Sequence, residues 1–201
     1  MTSRCEWAKT EPMISYHDDE WGVPQHHDQK LFEFLTLEGA QAGLSWMTIL
    51  KRRQSYREAF SNFDVKKLSR YNQNHVKKLV QNKSIIRNRL KILSTINNAK
   101  QFLKVQNEFG SFDNYIWAFV SHKPLKNKFK RLSQIPAFTP LSANVSYDLK
   151  KRGFTFVGPT ICYAFMQAIG MVNDHTTDCF CLLYTSPSPR DRTRSRMPSS
   201  A

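Results

Sequence analysis

No apolar run in this chain approaches the roughly 20 residues that cross a membrane. Met1 to Lys9 also lacks the apolar stretch that directs secretion. Acidic residues are scarce: 16 Asp and Glu stand against 30 Lys and Arg, a formal charge of +14. A balance of that sign points to an anionic partner, nucleic acid before others. No internal repeat is visible, and no pair of segments alternates as half-buried strands would. The only cysteines are Cys5, Cys162, Cys179 and Cys181. In a chain expected to be cytoplasmic they read as reduced thiols or metal ligands, not disulfides. These absences leave a soluble protein without a membrane partner, and its 201 residues suffice for one domain with a real core.

What is present is helical punctuation. Asp28 can cap a helix from about Gln29 to Ala42, ended by Gly43. Ser45 opens another carrying Trp46, Ile49, Leu50 and Phe60; Asp64 caps a short segment with Val65 and Leu68; Asn74 precedes one with Val76, Leu79 and Val80. From Ile85 to Val105 a longer pattern sets Ile86, Leu90, Leu93, Ala99 and Leu103 at helical spacing. Ser111 precedes "FDNYIWAFV", and Ser142 precedes "ANVSYDLKKRG", stopped by Gly153. Pro159 suits the first turn of "PTICYAFMQAIG", closed by Gly170. Residues 122–141, with three prolines, read as a loop with a basic flank. The predicted fold class is all-α.

Near the C-terminal end, His175-x3-Cys179 has the spacing of a short-range zinc ligand pair. Cys5 and His17, twelve residues apart, can complete a closed Cys2His2 set joining the two chain ends. Cys181 is a rival ligand, within reach of His175. Without a metal, His175 would be a cap or surface residue and Cys179 a small buried hydrophobe. Just beyond, the pattern decays. "CLLYTSPSPRD" back-translates to the transposase end and primer site of a common sequencing library, and "SRMPSSA" to the flow-cell end of the same kind of adapter. Leu182 to Ala201 are therefore expected to be a disordered, adapter-derived tail, outside a single domain of residues 1–181. The tail carries net +3, which leaves the body near +11.

"LFEFLTLEGAQAGLSW" places Leu31, Leu35 and Glu38 at i, i+4 and i+7, so a carboxylate shares an apolar stripe. Burying an acid costs several kcal/mol unless it is paired or used. A salt bridge is the ordinary explanation. Trp7, Tyr16, Trp21 and Trp46, otherwise plain core, can instead make with Glu38 a pocket for a flat cationic ring. In "VKKLVQNKSIIRNRLKIL", two helical halves meet at a short turn, Asn82 to Ser84. A helix-hairpin-helix offers backbone N–H groups to phosphate at such a turn, and Lys77, Lys78, Lys83, Arg87, Arg89 and Lys91 add salt-sensitive attraction. A solvated basic face would look similar.

Taken together, "RCEWA", "YHDDEWGVP", "LFEFLTLEGAQAGLSW" and "KKRGFTFVGPTICYAFMQAIGMVNDH" resemble the 3-methyladenine DNA glycosylase I family, a branch of the helix-hairpin-helix glycosylases, over essentially the whole body of the chain. The resemblance implies an all-α helix-hairpin-helix glycosylase fold with one structural zinc per chain, held by Cys5, His17, His175 and Cys179. It implies a base pocket with Glu38 as the catalytic carboxylate, Tyr16 as a second polar contact, and Trp46, Trp7 and Trp21 as aromatic walls. The substrate would be alkylated double-stranded DNA, bound by a monomer through Lys83, Ser84 and Arg87. We expect Leu44, beside Gly43, to fill the gap left by a flipped base. Ser84 stands where the hairpin glycine is expected, and Met13 where relatives carry another aromatic. A zinc-stapled DNA-binding module without catalysis is the alternative. A glycosylase with lyase activity would need a lysine nucleophile that these motifs do not supply.

Overall fold

The computed structural model describes residues 3–184. Its helices are α1 (Met13–Asp19), α2 (Asp28–Gln41), α3 (Trp46–Leu50), α4 (Arg53–Ala59), α5 (Val65–Leu68), α6 (Gln73–Gln81), α7 (Arg89–Phe109), α8 (Phe112–Ala118), α9 (Pro140–Lys151), α10 (Pro159–Ala168) and α11 (Cys181–Tyr184). The only departure from all-α among the described residues is slight. Strands β1 (Leu125–Lys126) and β2 (Val172–Asn173) form a two-residue parallel pair, and Ser3 makes an isolated bridge to Cys179. Pairs this short carry no alternation to read from sequence.

The core is built around α2. Every residue from Leu31 to Ala40 is buried, and α7, α8 and α10 pack against this helix. The single apolar stripe expected for α2 is thus corrected: a helix covered on all sides needs no polar face. Two of its three acids, Glu33 and Glu38, are buried as a result.

Ser45, Asp64, Ser111 and Gly153 act at helix ends as their sequence positions suggest. Five boundaries differ. Asp28 lies inside the first turn of α2, and its carboxylate accepts from the N–H groups of Phe112 and Asp113 at the start of α8. The segment after Ser45 breaks into α3 and α4. Asn72, not Asn74, caps α6, and Thr139 caps α9 three residues ahead of Ser142. The connection expected at Asn82 to Ser84 runs to Asn88, because the Asn88 side chain caps α7 through the N–H groups of Leu90 and Lys91. Ile85 anchors that connection in the core, while Lys83, Ser84 and Arg87 stay exposed.

Gly170 sets the turn that follows α10. Its φ is +70°, and a Cβ there would collide with the backbone of Val23 and Pro24. Gly170→Ala is expected to destabilise the fold by at least about 1–3 kcal/mol, from the left-handed conformation plus the clash. Thermal melting checks this, and an unchanged melting temperature would show that the Val23–Pro24 segment can retreat.

Candidate active site and metal centre

A cavity of about 370 Å³ opens between α1, α2, the start of α3, α10 and the segment 132–137. It brings together all five residues expected at a base pocket: Glu38, Tyr16, Trp46, Trp7 and Trp21. Met13 lines it as well. The rings are mutually braced. Trp7 meets Trp21 edge-on at 5.0 Å, and Tyr16 lies tilted against Trp46 at 5.3 Å between centroids.

The two buried acids of α2 show opposite chemistry. Glu33 accepts from Arg53 Nε at 2.6 Å, Arg57 Nη2 at 2.7 Å and Lys30 Nζ at 3.0 Å. Burial alone would raise its pKa, but these cations more than offset that and hold it below the usual range. Glu38 is 4% exposed, and among the described residues its carboxyl makes no hydrogen bond and no ion pair. Burial pushes its pKa up to about 8. The salt-bridge explanation therefore belongs to Glu33. Two neighbours share the condition of Glu38. The Tyr16 hydroxyl has no hydrogen bond among the described residues, and burial with the nearby Glu38 charge raises its pKa well above the ordinary phenol value. The indole N–H of Trp46 is buried and unpartnered. Of the three, the enclosed Trp46 N–H carries the typical cost of about 1–3 kcal/mol, and three unpartnered polar groups around one cavity mark a site built for a polar ligand.

Glu38 and Gln41 also border an adjoining recess of about 220 Å³ closed by Ala42, Gly43, Leu44 and α10. Leu44 is 40% exposed at this rim, where Gly43 turns the chain at φ +78°. Lys91 is removed from the set of free surface cations. Its ammonium donates to the carbonyls of Ala40 at 2.8 Å and Ala42 at 2.6 Å, capping the C-terminus of α2.

Behind Trp21 lies a second cluster. Cys5, His17, His175 and Cys179 are all buried, with ligand atoms within 4.8 Å of one another, an arrangement that can hold a metal ion. Cys179 Sγ lies 3.5 Å from His17 Nε2 and 3.4 Å from His175 Nδ1, and Cys5 Sγ lies 3.6 Å from His175 Nδ1. Each imidazole turns its other nitrogen to a fixed partner: His17 Nδ1 to Asp18 at 2.8 Å, His175 Nε2 to the Trp21 carbonyl at 3.0 Å. Arg4 in turn clamps Asp18 at 2.7 Å. Burial lowers His175 to about 4 and raises Cys5 to about 11. Cys181 Sγ lies 3.8 Å from His17 Nδ1 and groups with Asp18 rather than with the four. Cys179 thus lies within the four-residue cluster and Cys181 outside it. The cluster also ties the chain ends, since Phe180 donates to the Ser3 carbonyl and Ser3 Oγ to Asp178.

This chain is similar throughout to proteins of one kind. The model of the methyladenine glycosylase family matches residues 7–182. The DNA-3-methyladenine glycosylase of Haemophilus influenzae is 48% identical over 182 residues, 90% of this chain and 98% of the relative. DNA-3-methyladenine glycosylase 1 of Escherichia coli K12 is 49% identical over 179 residues, 89% of this chain and 96% of the relative. A crystal structure of 3-methyladenine DNA glycosylase I superposes with a TM-score of 0.87 at 48% identity, covering 89% of this chain and 99% of that one. The chain belongs to the methyladenine glycosylase family.

For a methyladenine glycosylase, the walls of this cavity matter as much as its floor, and several were not legible in the sequence. Gln41, Thr160, Tyr163, Ala164 and Gln167 line it, as do Leu132, Ile135, Pro136 and Ala137. The last four lie in the segment that reads as a loop, where prolines signal irregular backbone but not what it covers. The expected DNA contacts Lys83, Ser84 and Arg87 do not line this cavity; they lie on the exposed α6–α7 connection.

Proposed function

We propose that this chain is a monofunctional DNA-3-methyladenine glycosylase. It flips N3-methylated adenine out of double-stranded DNA and hydrolyses the N-glycosidic bond, leaving an abasic site. The observation that carries this reading is the aromatic cavity holding three polar groups without protein partners among the described residues: the Glu38 carboxyl, the Tyr16 hydroxyl and the Trp46 N–H. The names of the relatives point to the same substrate.

The chemistry follows from the base. N3-methylation places a positive charge on the ring, so the C1′–N9 electron pair leaves with a base that becomes neutral. Water adds to C1′ and gives up a proton. The enzyme need not protonate the base; it must extract, hold and surround it. The rings of Trp46, Trp7 and Trp21 favour a flat cation. A cationic base beside Glu38 would pull its raised pKa down, so the acid ionises as the damaged base enters. Tyr16 offers a hydroxyl to orient the ring. At the rim, Leu44 takes the place of the extruded nucleotide in the duplex. Lys83 and Arg87 meet the phosphate backbone. The Ser84 N–H already donates to Asn82 at 2.9 Å, which leaves Ser84 its hydroxyl for that contact. In this reading the α6–α7 connection is the hairpin of a helix-hairpin-helix. The protein acts as a cytoplasmic monomer.

The Cys and His cluster fits zinc. Zinc ligand bonds of about 2.3 Å to sulfur and about 2.0–2.1 Å to nitrogen would put adjacent tetrahedral S and N atoms about 3.5–3.6 Å apart, and three of the four sulfur–nitrogen pairs are separated by 3.4–3.6 Å. Partners on both outer imidazole nitrogens fix the tautomers a metal requires. Four protein ligands would leave no open position, so the ion would cross-link the segments around Cys5 and Cys179 and take no part in the hydrolysis.

The test is incubation with methylated duplex DNA. Free 3-methyladenine should appear while strands stay intact until treated with alkali. Borohydride should trap no covalent complex, in keeping with a cavity that has no lysine among its described lining residues. Tight binding without base release would favour the DNA-binding module instead.

The tail reading is also ours. Leu182 to Tyr184 continue the turn of α11, three residues into the stretch expected to be disordered. Residues 185–201 lie outside the described residues. Adapter-like coding begins at the end of the region the family model covers, residue 182. Deleting residues 185–201 is expected to leave melting temperature and base release unchanged. A large loss of either would show that these residues belong to the protein.

A further inference from the structure

One face of α10 looks into the cavity: Thr160, Tyr163, Ala164 and Gln167 fall at i, i+3, i+4 and i+7. Two of these side chains are tied down behind the wall. The Tyr163 hydroxyl at 2.6 Å and Gln167 Nε2 at 2.7 Å donate to the same carboxylate oxygen of Asp174. The other Asp174 oxygen accepts from Asn127 Nδ2 at 2.6 Å, on the segment that leads from β1 toward the cavity wall at 132–137. Asp174 is 1% exposed.

This arrangement fixes an orientation that an isolated glutamine would not have. A carboxylate oxygen accepts and cannot donate, so the Gln167 amide must turn its N–H toward Asp174 and its Oε1 away. Among the described residues Oε1 accepts no hydrogen bond, and it is not one of the enclosed polar atoms that lack a partner. It therefore faces open space, and the space that Gln167 borders is the cavity.

We propose that Gln167 is a specificity-determining residue whose Oε1 accepts a hydrogen bond from the exocyclic amine of the flipped base, with Asp174 as the positioning residue that aims it. The inference rests on the reading of the cavity as a 3-methyladenine pocket. Attached to its sugar, 3-methyladenine carries N–H hydrogens only on the C6 amine, and these two point to opposite sides in the ring plane. Glu38 can accept one, and Gln167 supplies an acceptor for the other. A base with a carbonyl at C6 would set oxygen against oxygen at Gln167. Sites that read a polar group discriminate by leaving the wrong ligand unpaired.

The test uses two free bases as probes: 3-methyladenine, and 3-methylhypoxanthine, which has oxygen in place of the amine. Binding is followed by the fluorescence of the tryptophans lining the pocket. Gln167→Met keeps the length of the side chain and removes the acceptor. It should weaken 3-methyladenine roughly two- to tenfold, the loss of one ordinary hydrogen bond, and leave 3-methylhypoxanthine unchanged or tighter. Asp174→Asn lets the amide turn over and should give the same collapse of preference with metal content and melting temperature retained. If Gln167→Met weakens both bases equally, or neither, Gln167 only shapes the wall and the proposal is overturned. If Asp174→Asn fails to fold, Gln167→Met alone decides. Wild-type protein that neither binds nor releases 3-methyladenine would overturn the reading of the pocket itself, which is a distinguishable outcome.

Discussion

Glu38→Gln is expected to fold as well as the parent protein and to release 3-methyladenine about ten- to a hundredfold more slowly, the loss of one charge-assisted hydrogen bond of roughly 1.5–3 kcal/mol. Affinity for undamaged DNA should barely change, since phosphate contacts away from the cavity supply it. The stability comparison carries its own pH signature. Burial raises the Glu38 pKa from 4.5 to about 8, so between those values the folded chain holds a proton that the unfolded chain has lost. Stability therefore falls as pH rises through that window and levels off above about 8. Glutamine removes this penalty. The variant should match wild type below pH 4.5 and exceed it by up to a few kcal/mol at pH 8 and above, which melting at two pH values reads directly. Glu33→Gln is the opposite case. Its three cationic partners would be left facing a neutral amide, and a loss of about 3–5 kcal/mol is expected. A destabilised but active Glu38→Gln protein would make Glu38 part of the scaffold.

The second large effect concerns the metal centre. Freshly purified protein should contain one zinc per chain, and stripping it should lower the melting temperature sharply, because zinc cross-links bring roughly 10–16 kcal/mol of apparent binding energy in small domains. Cys179→Ser and His17→Ala should reproduce that drop. Cys181→Ser should not, because its sulfur lies 3.8 Å from His17 Nδ1 and groups with Asp18, outside the four-residue cluster. Metal analysis together with melting in the presence of a chelator checks all three. Equal damage from Cys179→Ser and Cys181→Ser would mean that the ligand set is wrongly drawn.

Why the sequence was readable in some places and not in others has physical reasons. Glu38 stood out because an acid on an apolar helix beside a glycine turn is anomalous in one dimension as well as three. Glu33, five residues earlier, gave no such signal. Its partners Arg53 and Arg57 lie twenty and more residues away, and a charge next to Lys30 looks solvated until α2 is seen buried on every side. The Cys and His cluster was legible because His175 and Cys179 are close in the chain, whereas which of Cys179 and Cys181 joins it needed the third dimension. Asn82 and Asn88 are both competent caps, and only packing, with Ile85 turned inward, decides that α7 waits for Asn88. The α10 face gave no signal because Thr160, Tyr163 and Gln167 are sparse among apolar residues. Their common anchor, Asp174, is outside the helix.

The most direct measurement is the release of free bases from methylated double-stranded DNA, separated and identified after incubation with the full chain. Our account predicts multiple turnovers of 3-methyladenine, abasic sites in equal number and no strand scission before alkali. Retention of the DNA without any 3-methyladenine in solution would contradict it.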